Sequence, residues 1–128
     1  MSRTVEPQTV FLKEDLDIPN NPELPVLIYP QVLGDEVPDK AAAFERHFSE
    51  SGWRGTWRNG IFPYHHFHPD AHEALGIARG SVEVQIGGET GKRFKLTAGD
   101  LVVLPAGTGH KNLSASSDLQ VVGSYPRS

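Results

Sequence analysis

Five of the six histidines lie between His65 and His110, and four of those fall within the short stretch from His65 to His72. In an extended chain His66 and His68 project from the same face, so their ring nitrogens converge on a single ion, while His65 and Phe67 point the other way. Pro69-Asp70-Ala71 reads as a turn. Beyond it Glu73, Leu75 and Ile77 share one face of the next strand, and His72, Ala74 and Ala78 share the other. Glu73 thus stands at the mouth of that strand, placed to return a carboxylate to the two imidazoles. A fourth group comes from a distant segment: Pro105-Ala106-Gly107-Thr108-Gly109 is a stiff, glycine-relieved turn that aims His110 inward as the chain re-enters a strand.

Three imidazoles and one carboxylate suit one divalent transition metal, Fe, Mn, Ni, Co or Zn, and affinity order does not choose among these. A magnesium cage fits less well, since it prefers oxygen ligands. His72 competes with Glu73 as the fourth ligand and would give a four-histidine site. An ion held in this way keeps up to two adjacent positions open. With iron or manganese the open edge supports dioxygenation of an enediol, a catechol or a 2-oxo acid. With zinc, manganese or nickel it polarises a carbonyl for an isomerase or epimerase, which also needs a general base, and Tyr64, His72 and Glu73 are the candidates. No further acid or base stands out beside the ligands, so a non-enzymatic module that binds a small ligand or a metal is the third reading.

Just upstream, Trp53 to Tyr64 combines two Trp, two Arg and a Tyr. Alternation places Phe62, Tyr64, His66 and His68 on one face, with Tyr64 deeper in the same cavity as a catalytic candidate beside His72. Arg54, Trp57, Arg58 and Phe62 are the substrate-binding candidates. Either Arg at the mouth would favour an anionic small molecule. His65 is expected to face outward, and His47 to sit at the exposed end of a helix.

The elements that must position these groups follow from the rest of the chain. Its 128 residues, 38% hydrophobic and 22% charged, fit one domain, 1–128. The absence of Cys excludes a disulfide scaffold, a thiol enzyme, a zinc finger or an iron–sulfur protein, and leaves Met1 as the sole sulfur. A formal net charge of -4 disfavours nucleic acid as a partner. No apolar run approaches a membrane span, and no apolar stretch follows Arg3, so the cytoplasm is the expected compartment.

Residues 1–38 are broken by proline into an arm, with short edge strands expected at Val10-Phe11-Leu12 and at Val26 to Tyr29. The arm must cover either its own sheet or a neighbouring subunit. Residues 39–51 read as one helix, with Asp39 as N-cap and Ala41, Phe44 and Phe48 on its apolar face. From 53 to 125 the pattern is short strands and turns: Val82, Val84 and Ile86 alternate, Gly87 to Gly91 connects a hairpin, and Phe94 and Leu96 face inward on the return. Leu101 to Leu104 and Leu119 to Val122 follow as strands, with Gly123 to Pro126 marking the end. A closed antiparallel jelly-roll β-barrel is the expected all-β architecture, because closure buries one face of many short strands without long edges.

The segment from Gly60 to Gly80 resembles the first cupin motif, G-x5-H-x-H-x4-E-x6-G, with Gly60, His66, His68, Glu73 and Gly80 in register. The segment from Gly99 is similar to the second, G-x5-P-x-G-x2-H-x3-N, at Gly99, Pro105, Gly107 and His110, with Ser114 where the motif has Asn. Asn112 shares the parity of His110 and faces the same way. The wider chain resembles small bacterial single-domain cupins of uncharacterised activity. That resemblance implies a jelly-roll barrel, a metal on His66, His68, Glu73 and His110, and a homodimer, and it supplies no particular reaction.

Overall fold

Gly76 explains how the helix is seated. In the computed structural model, which describes residues 5–126, β4 (Glu73–Arg79) is buried on both faces, and a Cβ on Gly76 would lie 2.5 Å from Cγ of Phe44. Ala74, Gly76 and Ala78 form a shallow outer face on which α1 (Lys40–Glu50) lies, with Ala41, Ala43, Phe44 and Phe48 buried against it. Leu75 and Ile77 point the other way, into the main core. The alternation of small and large residues therefore assigns one face of β4 to a helix and the other to a sheet. Met1 and Arg3 lie outside the described residues.

The remaining strands are β1 (Gln8–Val10), β2 (Val26–Tyr29), β3 (Arg54–Asn59), β5 (Ser81–Ile86), β6 (Lys92–Thr97), β7 (Leu101–Leu104), β8 (His110–Ala115) and β9 (Gln120–Tyr125). They form a six-stranded sheet, β1-β2-β7-β4-β9-β3, facing a three-stranded sheet, β6-β5-β8, with every pairing antiparallel. Val82, Val84 and Ile86 of the smaller sheet meet Leu75, Val102 and Val121 of the larger one in a single apolar layer. The arm covers its own sheet: β2 pairs with β7 of the same chain, and β1 adds outside it.

The barrel expected from the strand pattern does not close. The larger sheet ends at β1 and β3, the smaller at β6 and β8, and no ladder joins the two among the described residues. The segment expected as a strand through His66 and His68 makes only one isolated antiparallel bridge, His66 to His110, with N–H···O distances of 2.9 and 3.1 Å. Pro63 and Pro69 flank it and have no N–H to extend a ladder, so the gap is spanned by irregular chain. Two boundaries also move. The first arm strand ends at Val10, leaving Phe11 exposed, and β9 runs on through Gly123 and Ser124 to Tyr125, past the strand end expected at Val122.

Asp39 caps α1 as expected, its side chain accepting from the Ala42 N–H at 3.1 Å. Asp39→Ala should lower the unfolding free energy in urea by about 1 kcal/mol, and an unchanged midpoint would show that the cap contributes nothing. A second polar anchor is Asn20, buried and left-handed at φ 53°. Its Nδ2 donates to the carbonyls of Lys13 (2.7 Å) and Gly87 (3.0 Å), and its Oδ1 accepts from the Gly109 N–H (3.1 Å). A Cβ on Gly107 would lie 2.7 Å from the Asn20 carbonyl oxygen, so this turn needs glycine for the arm to pass.

Candidate functional site

His110 begins β8 with its ring almost wholly buried, and its Nδ1 lies 3.2 Å from the Thr108 carbonyl oxygen. A carbonyl only accepts, so Nδ1 carries the proton and Nε2 presents a bare lone pair. Facing it at 3.4 Å is Oε1 of Glu73, a buried oxygen without a hydrogen-bond partner. Two lone pairs that oppose each other out of water require a positive centre between them, either a proton or a cation. Burial pushes the Glu73 carboxyl up to about 7, partly offset by a hydrogen bond from Tyr125. Burial likewise takes His110 down to about 4, against the Thr108 carbonyl and with help from His66 and His68.

His66 and His68 complete this wall. Their rings meet edge-on at 4.8 Å, and His66 lies 5.6 Å from the His110 ring. Burial lowers the affinity of both for protons, and His68 adds to the effect on His66. All three imidazoles are therefore neutral at pH 7, the form that ligates a metal. His68 Nε2 stands 3.6 Å from Glu73 Oε2 and 3.3 Å from the hydroxyl of Tyr125. The expected convergence on one ion is thus incomplete: among the described residues no group of three or more His, Asp or Glu is set in ligating geometry. His68 is shared with the Tyr125 hydroxyl instead of being turned wholly toward His110. The donor set still fits a divalent metal, because neutral imidazoles and an orphaned buried carboxylate oxygen are what such an ion satisfies.

These groups line a cavity of about 350 Å³ together with Trp57, Asn59, Ile61, Phe62, Leu75 and Tyr125. Of the substrate-binding candidates, Trp57 and Phe62 are on its wall, whereas Arg54 and Arg58 are not. Arg58 instead forks onto Glu45 of α1, at 2.7 and 2.8 Å. Tyr64 does not lie deeper in the cavity: it is 54% exposed and stacks on Phe62 at the rim, centroids 5.0 Å apart. His72 points away too, its Nδ1 accepting the Ala106 N–H at 2.8 Å and so fastening the turn before His110. His65 lies half-buried against Glu89 at 3.1 Å, and His47 is half-buried as well. Asn112 ties the cavity rim to β8: its N–H donates to the Phe62 carbonyl (2.9 Å) and its Nδ2 to that of Ile61 (3.3 Å), while Ser114 is exposed.

Tyr125 is the residue the sequence reading missed. Its hydroxyl receives the Trp57 Nε1–H at 3.3 Å and bonds Glu73, with His68 also in reach. Gly123 to Pro126 reads as the end of the last strand, but continuing the alternation of Val121 through Gly123 places Tyr125 on the inner face.

The Cupin domain family matches residues 57–122, a span that includes all four candidate ligands and more than half of the chain. The chain belongs to the cupins. A relative, the Uncharacterized protein YjlB of Bacillus subtilis, is 42% identical over 121 residues, covering 94% of this cupin and 70% of YjlB. Among solved structures, an acireductone dioxygenase from Bacillus anthracis with a cadmium ion in its active center aligns with TM-score 0.51 at 21% identity, over 78% of this cupin and 76% of that chain. A DUF861 family protein from Thermotoga maritima aligns with TM-score 0.45 at 24% identity, over 77% and 96%. At these identities the likeness is one of fold. No helix among the described residues is long and apolar enough to cross a membrane.

Proposed function

We propose that this cupin holds one divalent transition metal on His66, His68, Glu73 and His110 and oxidises a small organic molecule with dioxygen. The observation that supports the reading is the buried pair of unshared electrons on His110 Nε2 and Glu73 Oε1, 3.4 Å apart on the wall of an open cavity. When bound, the metal would supply an electron-sharing centre between an oxygen-bearing substrate and dioxygen. Thr108 fixes the His110 tautomer so that Nε2 is available to ligate. Tyr125 donates its proton toward Glu73 and receives one from Trp57, which gives the carboxylate a fixed hydrogen-bond partner. Burial and the Glu73 charge raise the Tyr125 pKa, so its hydroxyl stays protonated at neutral pH.

The same wall argues against isomerisation or epimerisation. That chemistry needs a base poised near the substrate carbon, and outside the proposed ligands the cavity offers, among the described residues, only the Tyr125 phenol. Dioxygenation needs no such base.

Calorimetric titration of chelator-stripped protein with Fe(II), Mn(II), Ni(II) and Zn(II) is expected to show one site. His110→Ala should weaken it by about a hundredfold, the scale of losing one ligand and its support. Oxygen consumption by the iron- or manganese-loaded protein, screened against catechols, enediols and 2-oxo acids, then tests turnover. No metal binding, or binding unchanged in His110→Ala, overturns the site; metal binding with no oxygen uptake leaves the binding module in its place.

A further inference from the structure

We propose that the occupant of this cavity is an uncharged, planar, single-ring aromatic compound, seated against Trp57. The inference deepens the reading above by naming the substrate class of the same site. Trp57, Ile61, Phe62 and Leu75 give the cavity apolar lining beside the imidazoles, and among the described residues no Lys or Arg lines it. Arg58, one of the two arginines expected to meet an anion, is committed to Glu45 on the outer surface. A dicarboxylate would place its second charge in this cavity with no cation to meet it and with the buried Glu73 nearby.

The indole is held before any ligand arrives. A Cβ on Gly123 would come to 2.1 Å from Trp57 Cζ2 and 2.2 Å from Cε2, so the ring rests on bare backbone that only glycine provides. Its Nε1–H is tied to Tyr125 at 3.3 Å. A large aromatic surface fixed by packing and one hydrogen bond favours a flat partner, since offset or edge-on ring pairs gain beyond area and no rotamer entropy remains to be lost. At the rim Phe62 and Tyr64 stack at 5.0 Å and 13°, and Phe62 meets His66 edge-on at 5.0 Å, which continues the aromatic lining to the mouth. The volume agrees: an apolar cavity of about 150 Å³ takes benzene, and this one of about 350 Å³ takes a substituted ring.

The test uses metal-stripped full-length protein and three probes with paired oxygens: catechol, trans-cyclohexane-1,2-diol and malonate. Binding is read by saturation-transfer NMR and by titration. Catechol is expected to bind at least about fivefold more tightly than the saturated diol, and malonate not at all. Trp57→Ala should weaken catechol by about tenfold, and Trp57→Phe, which keeps a flat ring, should stay within about threefold of the parent. Malonate binding as well as catechol, the diol matching catechol, Trp57→Ala binding like the parent, or no probe binding at all would each overturn the assignment. Metal is absent from this experiment, so it separates the two readings. Correct probe order in a protein that takes no metal leaves the ring assignment standing alone, and metal binding with the wrong order removes only the ring assignment.

Discussion

In metal-stripped protein, Glu73→Gln should raise stability at pH 8 by about 3 kcal/mol relative to the parent and leave it unchanged at pH 4. The Glu73 carboxyl titrates at about 7 in the fold, against an ordinary value near 4.5. Its neutral form is favoured by folding, so its contribution is complete below about pH 4.5 and is lost as pH rises to about 7. His110 runs the opposite way, with a folded value of about 4 against 6.5. Its contribution is complete above about pH 6.5 and is lost as pH falls to about 4. Over the shared window the two slopes oppose and nearly cancel in the parent. The glutamine variant removes one slope, so its stability should climb more steeply with pH than the parent's from about 4 to 6.5, with His66 and His68 acting in the same direction as His110. Urea denaturation of both proteins at pH 4, 5.5, 6.5 and 8 measures the difference. A constant difference across these pH values would mean that Glu73 is not buried as a lone carboxyl. If the proposed site binds metal, the same substitution should weaken that binding by about ten- to a hundredfold, so the residue that destabilises the empty site would be one that holds the ion.

Phe44→Ala should lower stability by about 3–5 kcal/mol, because Phe44 is 2% exposed and carries much of the contact between α1 and the larger sheet. It stacks on Phe48 with centroids 5.9 Å apart and lies directly over Gly76. Gly76→Ala should itself cost about 1–3 kcal/mol, since the new methyl meets Cγ, Cδ1 and Cδ2 of that ring at 2.5–2.7 Å. Combined, the two changes should cost less than their sum, as the alanine at 76 enters space the ring has left. Denaturant midpoints of the three variants decide it, and strict additivity would show that the ring does not rest on the glycine.

That His66, His68, Glu73 and His110 line one cavity was readable in the sequence because it depends on local spacing. His66 and His68 share parity, Glu73 follows a Pro-Asp turn, and His110 follows a glycine-relieved one; each placement is fixed by fewer than ten residues of chain. The helix cap at Asp39, the two faces of β4 and the strands β2 and β7 were readable for the same reason. Closure was not, since it depends on whether two sheet edges meet in space, and Pro63 and Pro69 decide that by withholding donors. The directions of Arg58 and Tyr64 were set by Glu45 on the helix and by stacking on Phe62 at the rim, which alternation does not contain. Tyr125 was missed because Gly123 reads as punctuation, when its missing side chain is what lets Trp57 lie across β9.

Asn20 carries a consequence for the order in which the molecule assembles. It reaches 67 residues forward to Gly87 and 89 to Gly109, so the floor beneath His110 is laid only after nearly the whole chain has emerged and both sheets have paired. Closures of that span are among the slow steps of folding. A nascent chain offers an ion the neighbouring His66 and His68 and little else. Any ion taken up at the proposed site would therefore arrive late, selected by a cavity that has already taken shape and not by the polypeptide that is building it.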